Sequence, residues 1–336
     1  MKPKSRLGIT LSVVSAGVLS AGSAAAQDEV SFILNWVTAG EHAAVYYADH
    51  AGWFEEANLD VTIEQGKGSA VAAQRVGVGA ADVGIADLGT SMVTRAAGAD
   101  IVAVMNIYAN SPYQMYWLAG SGMEGLEDFP GHKFGNPPGD AARAMWPALA
   151  GANDMSPDAI TWVNIAPNAK VSALASGAVD GTTFFANYHY VMANAFGDDL
   201  RWFAWSEKGV NPYGNSIIAN GDFLEENRDV IARLVQVLQR SHRYCVDNGE
   251  ECVSVLSDYA SGITYENALA NWNVTIRLMS DEFSTTEGLG YFDPGRIASD
   301  YELVSRYFDI ANPFDPETIY TNEFIDPEIT MIEVGN

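Results

Sequence analysis

The chain has 336 residues, 48% of them apolar and 18% charged, enough to bury a substantial core and to favour two domains over one. Its formal net charge of −25 becomes more negative still, −28, without Lys2, Lys4 and Arg6, because residues 1–26 contain no Asp or Glu. So acidic a surface argues against nucleic acid and anionic membranes as partners, and as a solvated surface it identifies no ligand.

Residues 1–26, "MKPKSRLGITLSVVSAGVLSAGSAAA", place three cations before a short apolar stretch and end on small residues, the pattern of a secretory signal peptide cut after Ala26. The apolar stretch 7–19 is too short to span a bilayer. No cysteine follows the cut to carry a lipid, so a freely diffusing periplasmic protein is expected.

Short β-rich runs then alternate with helical ones: "VSFILNW", "EHAAVYYADHAG", "LDVTIEQ", "SAVAAQRVGVG", "ADVGIA", "GTSMVTRAAG" and "IVAVMNIY". This alternation predicts an α/β fold with mostly parallel sheets flanked by helices. A second series of the same kind follows "YQMYWLAG", running from "HKFGN" to "LRWFAW". Gly79-Ala80-Ala81-Asp82 before "VGIAD" is echoed by Gly177-Ala178-Val179-Asp180 before "GTTFF", which sets Asp87 and Phe185 at equivalent strand ends. Ligands of open α/β sheets bind at that edge.

After "GNSIIANGDF" the pattern turns helical. Ile231, Leu234, Val235 and Leu238 share one face of a long amphipathic helix, and further helices are expected around 265–283 and 294–308. With no low-complexity linker, "YQMYWLAG" and "GNSIIAN" are the expected crossings between two lobes: 27–117 with 219–336 as lobe 1, and 118–218 as lobe 2. Two crossings permit hinge closure on a ligand in the cleft. Cys245 and Cys252 flank a helix end, and in an oxidising compartment a disulfide between them is expected; two free thiols are the alternative.

The stretch "AGWFEEANLDVTIEQGKG", the unit "GVGAADVGIADLGTSMVTRAAGADIVAV" and the second-lobe entry "LEDFPGHKFGNPPGDAARAM" resemble the NMT1/THI5-like (SsuA/THI5) family of ABC-transporter solute-binding proteins. The resemblance covers most of the mature chain. It implies a two-lobed periplasmic-binding-protein fold (type II-like), a small-molecule ligand, an inner-membrane ABC permease as partner and a monomer. Members bind pyrimidine thiamine precursors, riboflavin, sulfonates, taurine, nitrate or aromatic acids. The eukaryotic pyrimidine synthases of similar fold carry a Cys-rich motif that is absent here, so no enzyme and no cofactor are expected. His42, His50, His132, His189 and His242 show no metal-ligand spacing, and no metal site is expected. There is no Gly-x-Ser-x-Gly turn and no phosphate-loop Lys motif.

Trp36 at a strand's end offers a face for a planar ligand, with Glu41, His42 and Tyr46 just beyond it. Three loops that follow strands and open helices add Asp87 and Leu88, Gly139 and Asp140, and Phe185, Asn187 and Tyr188. Two carboxylates in the cleft would repel an anion and suit amino or ring N–H donors, so an aminopyrimidine thiamine precursor leads. A pyridinium- or betaine-like zwitterion fits the same set, with Arg143 for its carboxylate. If Asp87 and Asp140 only cap helices, sulfonates and other anions return.

Overall fold

A computed structural model describes residues 26–334; apart from Ala26, the expected signal segment lies outside the described residues. The strands are β1 (Asp28–Ile33), β2 (Leu59–Glu64), β3 (Val83–Asp87), β4 (Ile101–Asn106), β5 (Tyr113–Leu118), β6 (Lys133–Asn136), β7 (Thr161–Asn164), β8 (Gly181–Phe185), β9 (Leu200–Ala204) and β10 (Asn215–Asn220). They form two five-stranded sheets, ordered β2-β1-β3-β10-β4 and β7-β6-β8-β5-β9. Each sheet holds four strands of one direction and one reversed strand, β10 in the first and β5 in the second.

Both reversed strands lie just past a crossing. The chain leaves the first sheet over residues 107–112 and returns over 205–214. The two crossings bond to each other: the Tyr108 N–H donates to the Asn215 carbonyl and the Gly214 N–H to the Tyr108 carbonyl, each at 2.9 Å. This corrects the expected boundaries at 117/118 and 218/219. The runs "YQMYWL" and "NSIIAN" do not span the lobes; each is buried and paired on both sides within one sheet.

The internal echo has a physical cause. Gly79 and Gly177 both take left-handed backbone, φ +68° and +69°, where only glycine is unstrained. Asp82 then accepts the Ser31 N–H in β1 at 2.8 Å, and Asp180 accepts the Lys133 N–H in the matching strand β6 at 2.8 Å. The same carboxylate brace ties two neighbouring strands in each lobe.

The helix Arg228–Asp247 buries Ile231, Leu234, Val235 and Leu238 against the first sheet's outer face, beside the helices Ala43–His50 and Tyr265–Met279. Cys245 and Cys252 are joined, with Cα atoms 5.7 Å apart and both side chains buried. Among the described residues no helix is long and apolar enough to cross a membrane.

Candidate functional site

The chain leaves β1 through Leu34, and two loop amides then hold the turn: the Gly66 N–H donates to the Trp36 carbonyl at 2.9 Å and the Gly68 N–H to the Asn35 carbonyl at 2.8 Å. Trp36 is thereby set at the rim of the first lobe. The next turn, Gly40–His42, buries Glu41. From the second lobe come Asp140, at the start of the helix Ala141–Ala152, Lys170, at the start of the helix Lys170–Ala175, and Phe184, Phe185 and Tyr188 at the end of β8 and beyond.

These residues enclose an inner cavity between the lobes with about 30 Å³ of free space, room for water but not for an aromatic ring. Trp36, Lys170, Phe184 and Tyr188 also line a wider vestibule of about 360 Å³ at the cleft mouth. The lobes close on each other around the inner cavity, which in this arrangement is too small for a ring, whereas the vestibule is not.

Glu41 is the floor of this cavity. It accepts from the Tyr108 hydroxyl at 2.6 Å, the Tyr188 hydroxyl at 2.8 Å and the Asn215 side-chain amide at 3.3 Å. Among the described residues no Lys or Arg pairs with it, so a carboxylate 4% exposed is held by neutral donors alone. Burial and the Glu41 charge push the hydroxyls of Tyr108 and Tyr188 well above the ordinary tyrosine pKa, which keeps both as donors.

Asp140 caps its helix through the Arg143 N–H at 3.1 Å and forms a buried ion pair with Lys170, Nζ to Oδ2 2.6 Å. Lys170 also donates to the Thr183 carbonyl at 2.8 Å, and its ammonium lies 4.5 Å from the Phe184 ring centre and 5.1 Å from that of Trp36. Burial lowers the Lys170 pKa and Asp140 opposes that shift.

Trp36, Glu41, Asp140, Phe185 and Tyr188 thus meet in one cavity. His42 stands behind it: Nδ1 accepts the Ala39 N–H and Nε2 faces Asn35 Oδ1 at 3.0 Å, while burial lowers its pKa and keeps it neutral. It positions Asn35, which does line the cavity. Tyr46 belongs to the first lobe's core, its hydroxyl bonded to Thr38 at 2.8 Å.

The placement of Asp87 and Leu88 at the ligand is corrected. Asp87 is buried as the cap of the helix Leu88–Ala96, with Oδ1 accepting the Thr90 N–H at 2.8 Å, and Leu88 packs in the core between the sheets. Burial raises the Asp87 pKa. Gly139 and Asn187 join the lobes instead: the Ala70 N–H donates to the Gly139 carbonyl at 3.2 Å, and Asn187 donates to Tyr108 at 3.1 Å and Thr275 at 3.2 Å. Lys170, Phe184, Asn35 and Ser69 are lining residues that sequence reasoning missed.

Residues 39–252 match the family described as NMT1/THI5 like. The chain is 23% identical to a formylaminopyrimidine-binding protein of Halalkalibacterium halodurans, over 69% of this chain and 70% of that one. It is also 23% identical to a 4-amino-5-hydroxymethyl-2-methylpyrimidine phosphate synthase of Candida albicans, over 67% of this chain and 69% of that one. In structure it is similar to the periplasmic aliphatic sulphonate binding protein SsuA of Escherichia coli, with a TM-score of 0.63, 13% identity and coverage of 83% and 91% of the two chains.

Proposed function

The chain belongs to the NMT1/THI5-like family, and from that premise we propose that it is the solute-capturing subunit of a periplasmic ABC importer, handing a small planar nitrogen heterocycle of the aminopyrimidine class to a membrane permease. The observation that carries the ligand class is Glu41, a buried carboxylate with no cationic partner among the described residues, set in a cavity walled by Trp36, Phe184, Phe185 and Tyr188. The two oxygens have acceptor capacity beyond their three present donors and suit the N–H groups of an amino heterocycle, while the rings suit its faces. An incoming sulfonate would meet that negative charge, and the one cation buried among the described residues, Lys170, is already paired with Asp140. The likeness to a formylaminopyrimidine-binding protein points the same way.

Calorimetry on refolded, ligand-free protein tests this against 4-amino-5-hydroxymethyl-2-methylpyrimidine, a pyridinium carboxylate, taurine and an alkanesulfonate. Binding of the aminopyrimidine that is lost in Glu41→Gln and weakened in Trp36→Ala is the expected result. Tight binding of taurine or the sulfonate, with none of the heterocycles, overturns it. The relative named as a synthase sets the competing enzymatic reading. Stoichiometric consumption of pyridoxal phosphate by the purified protein would establish that reading in its place.

A further inference from the structure

Lys170 is the one buried lysine among the described residues, 2% exposed, and it stands at the neck between the inner cavity and the vestibule. Its ammonium is fixed by Asp140 at 2.6 Å and the Thr183 carbonyl at 2.8 Å. It also lies within cation–π range of a ring from each lobe, Phe184 at 4.5 Å and Trp36 at 5.1 Å. We propose that Lys170 determines specificity in this cleft: it fills the aromatic seat between Trp36 and Phe184 with a cation of the protein's own, shutting out ligands that carry a permanent positive charge.

Three physical steps lead there. A ring face in this box attracts a cation, and Lys170 already satisfies that attraction from both lobes. A second cation entering the seat meets like charge at short range in a poorly solvated space. Lys170 cannot swing aside to make room, because doing so strands the buried Asp140 carboxylate. An ammonium has three N–H groups, and two partners account for two of them, leaving one for an acceptor atom of the ligand. The preferred ligand therefore pairs an acceptor near Lys170 with a donor near Glu41 and is itself neutral. This last step rests on the aminopyrimidine reading; the exclusion of cations does not.

The test compares tetramethylammonium, 4-amino-5-hydroxymethyl-2-methylpyrimidine and the N-methylated pyrimidinium cation by calorimetry on the mature chain. Wild type is expected to bind no tetramethylammonium and to disfavour the methylated cation. Lys170→Ala empties the seat and leaves Asp140 as counter-charge, so tetramethylammonium should bind at least about tenfold tighter than to wild type. Should that variant not fold, Asp140→Asn/Lys170→Ala removes the pair together, and its tetramethylammonium binding should again exceed that of wild type.

Wild type that binds tetramethylammonium, or a folded variant that does not, overturns the proposal. Wild type that binds no heterocycle, with a Lys170→Ala variant that takes up tetramethylammonium, sinks the aminopyrimidine reading and keeps the seat. Heterocycle binding by wild type, with variants that still refuse the cation, does the reverse.

Discussion

Tyr188 belongs to the second lobe and Glu41 to the first, and the 2.8 Å bond between them exists only while the cleft is closed. A hydrogen bond to a charged group contributes about 1.5–3 kcal/mol, so Tyr188→Phe should weaken aminopyrimidine binding by about 10–100-fold. The same bond is made in the ligand-free closed form, so a thermal melt of the unliganded variant should show a loss of stability of at most that size, and calorimetric titration reads the effect on binding separately. Trp36, Asp140 and Tyr188 are legible in the sequence because each follows a strand-like run, where the topology of an α/β sheet exposes residues to a cleft. Lys170 is not. A lysine opening an Ala-rich helix reads as a solvated charge, and only its pairing with Asp140, thirty positions away, buries it. Asp87 misleads for the opposite reason, since capping and ligand contact ask for the same residue at the same place.

At the scale of single elements, the bridge from Cys245 to Cys252 ties the end of the helix Arg228–Asp247 to the next helix, Gly249–Ser254. The closed loop is short, so the double change to Ser should cost about 2–3 kcal/mol in a urea melt. Asp300, on the helix Pro294–Tyr307, accepts the backbone N–H of Tyr213 in the return crossing at 2.9 Å. Burial pushes its pKa up to about 7, against Arg296, which acts to lower it. The native state then holds this proton longer than the unfolded chain, so the contribution is whole below about pH 4 and lost as pH rises through about 7. Asp300→Asn should therefore gain on wild type by on the order of 2–4 kcal/mol at pH 8 and draw level near pH 4. His242, buried with its pKa lowered to about 4, tilts wild-type stability in the other direction, so the difference between the two proteins is the quantity to follow. Strand existence is legible from period and composition, as in "LDVTIE" and "VGIAD". Crossing points are not, because an apolar run of six residues looks the same whether it ends in one sheet or leads to another.

Across the whole molecule, closure depends on a backbone contact that a single methyl group would obstruct. A Cβ on Gly68 of the first lobe would lie 2.0 Å from the Gly139 carbonyl oxygen of the second, and Gly68 has φ +127°. Gly68→Ala should hold the lobes apart, so that small-angle scattering shows no ligand-dependent fall in radius and affinity drops. Gly139→Ala, whose Cβ would press on a methyl group of Val71 at 2.7 Å and not on backbone, should do the same more mildly. A wild-type radius unchanged by saturating ligand would count against a hinge altogether. The central place of β10 in the first sheet has a different consequence, one of timing. Strands β3 and β4 do not touch until β10 arrives between them, and β10 follows the entire second sheet in the chain. A chain folding as it emerges N-terminus first must therefore carry two open strand edges, β3 and β4, through the emergence of about a hundred further residues. The second sheet, contiguous in sequence, can form in the meantime. Whatever guards the nascent chain has to cover those edges until Asn215–Asn220 comes through and joins them.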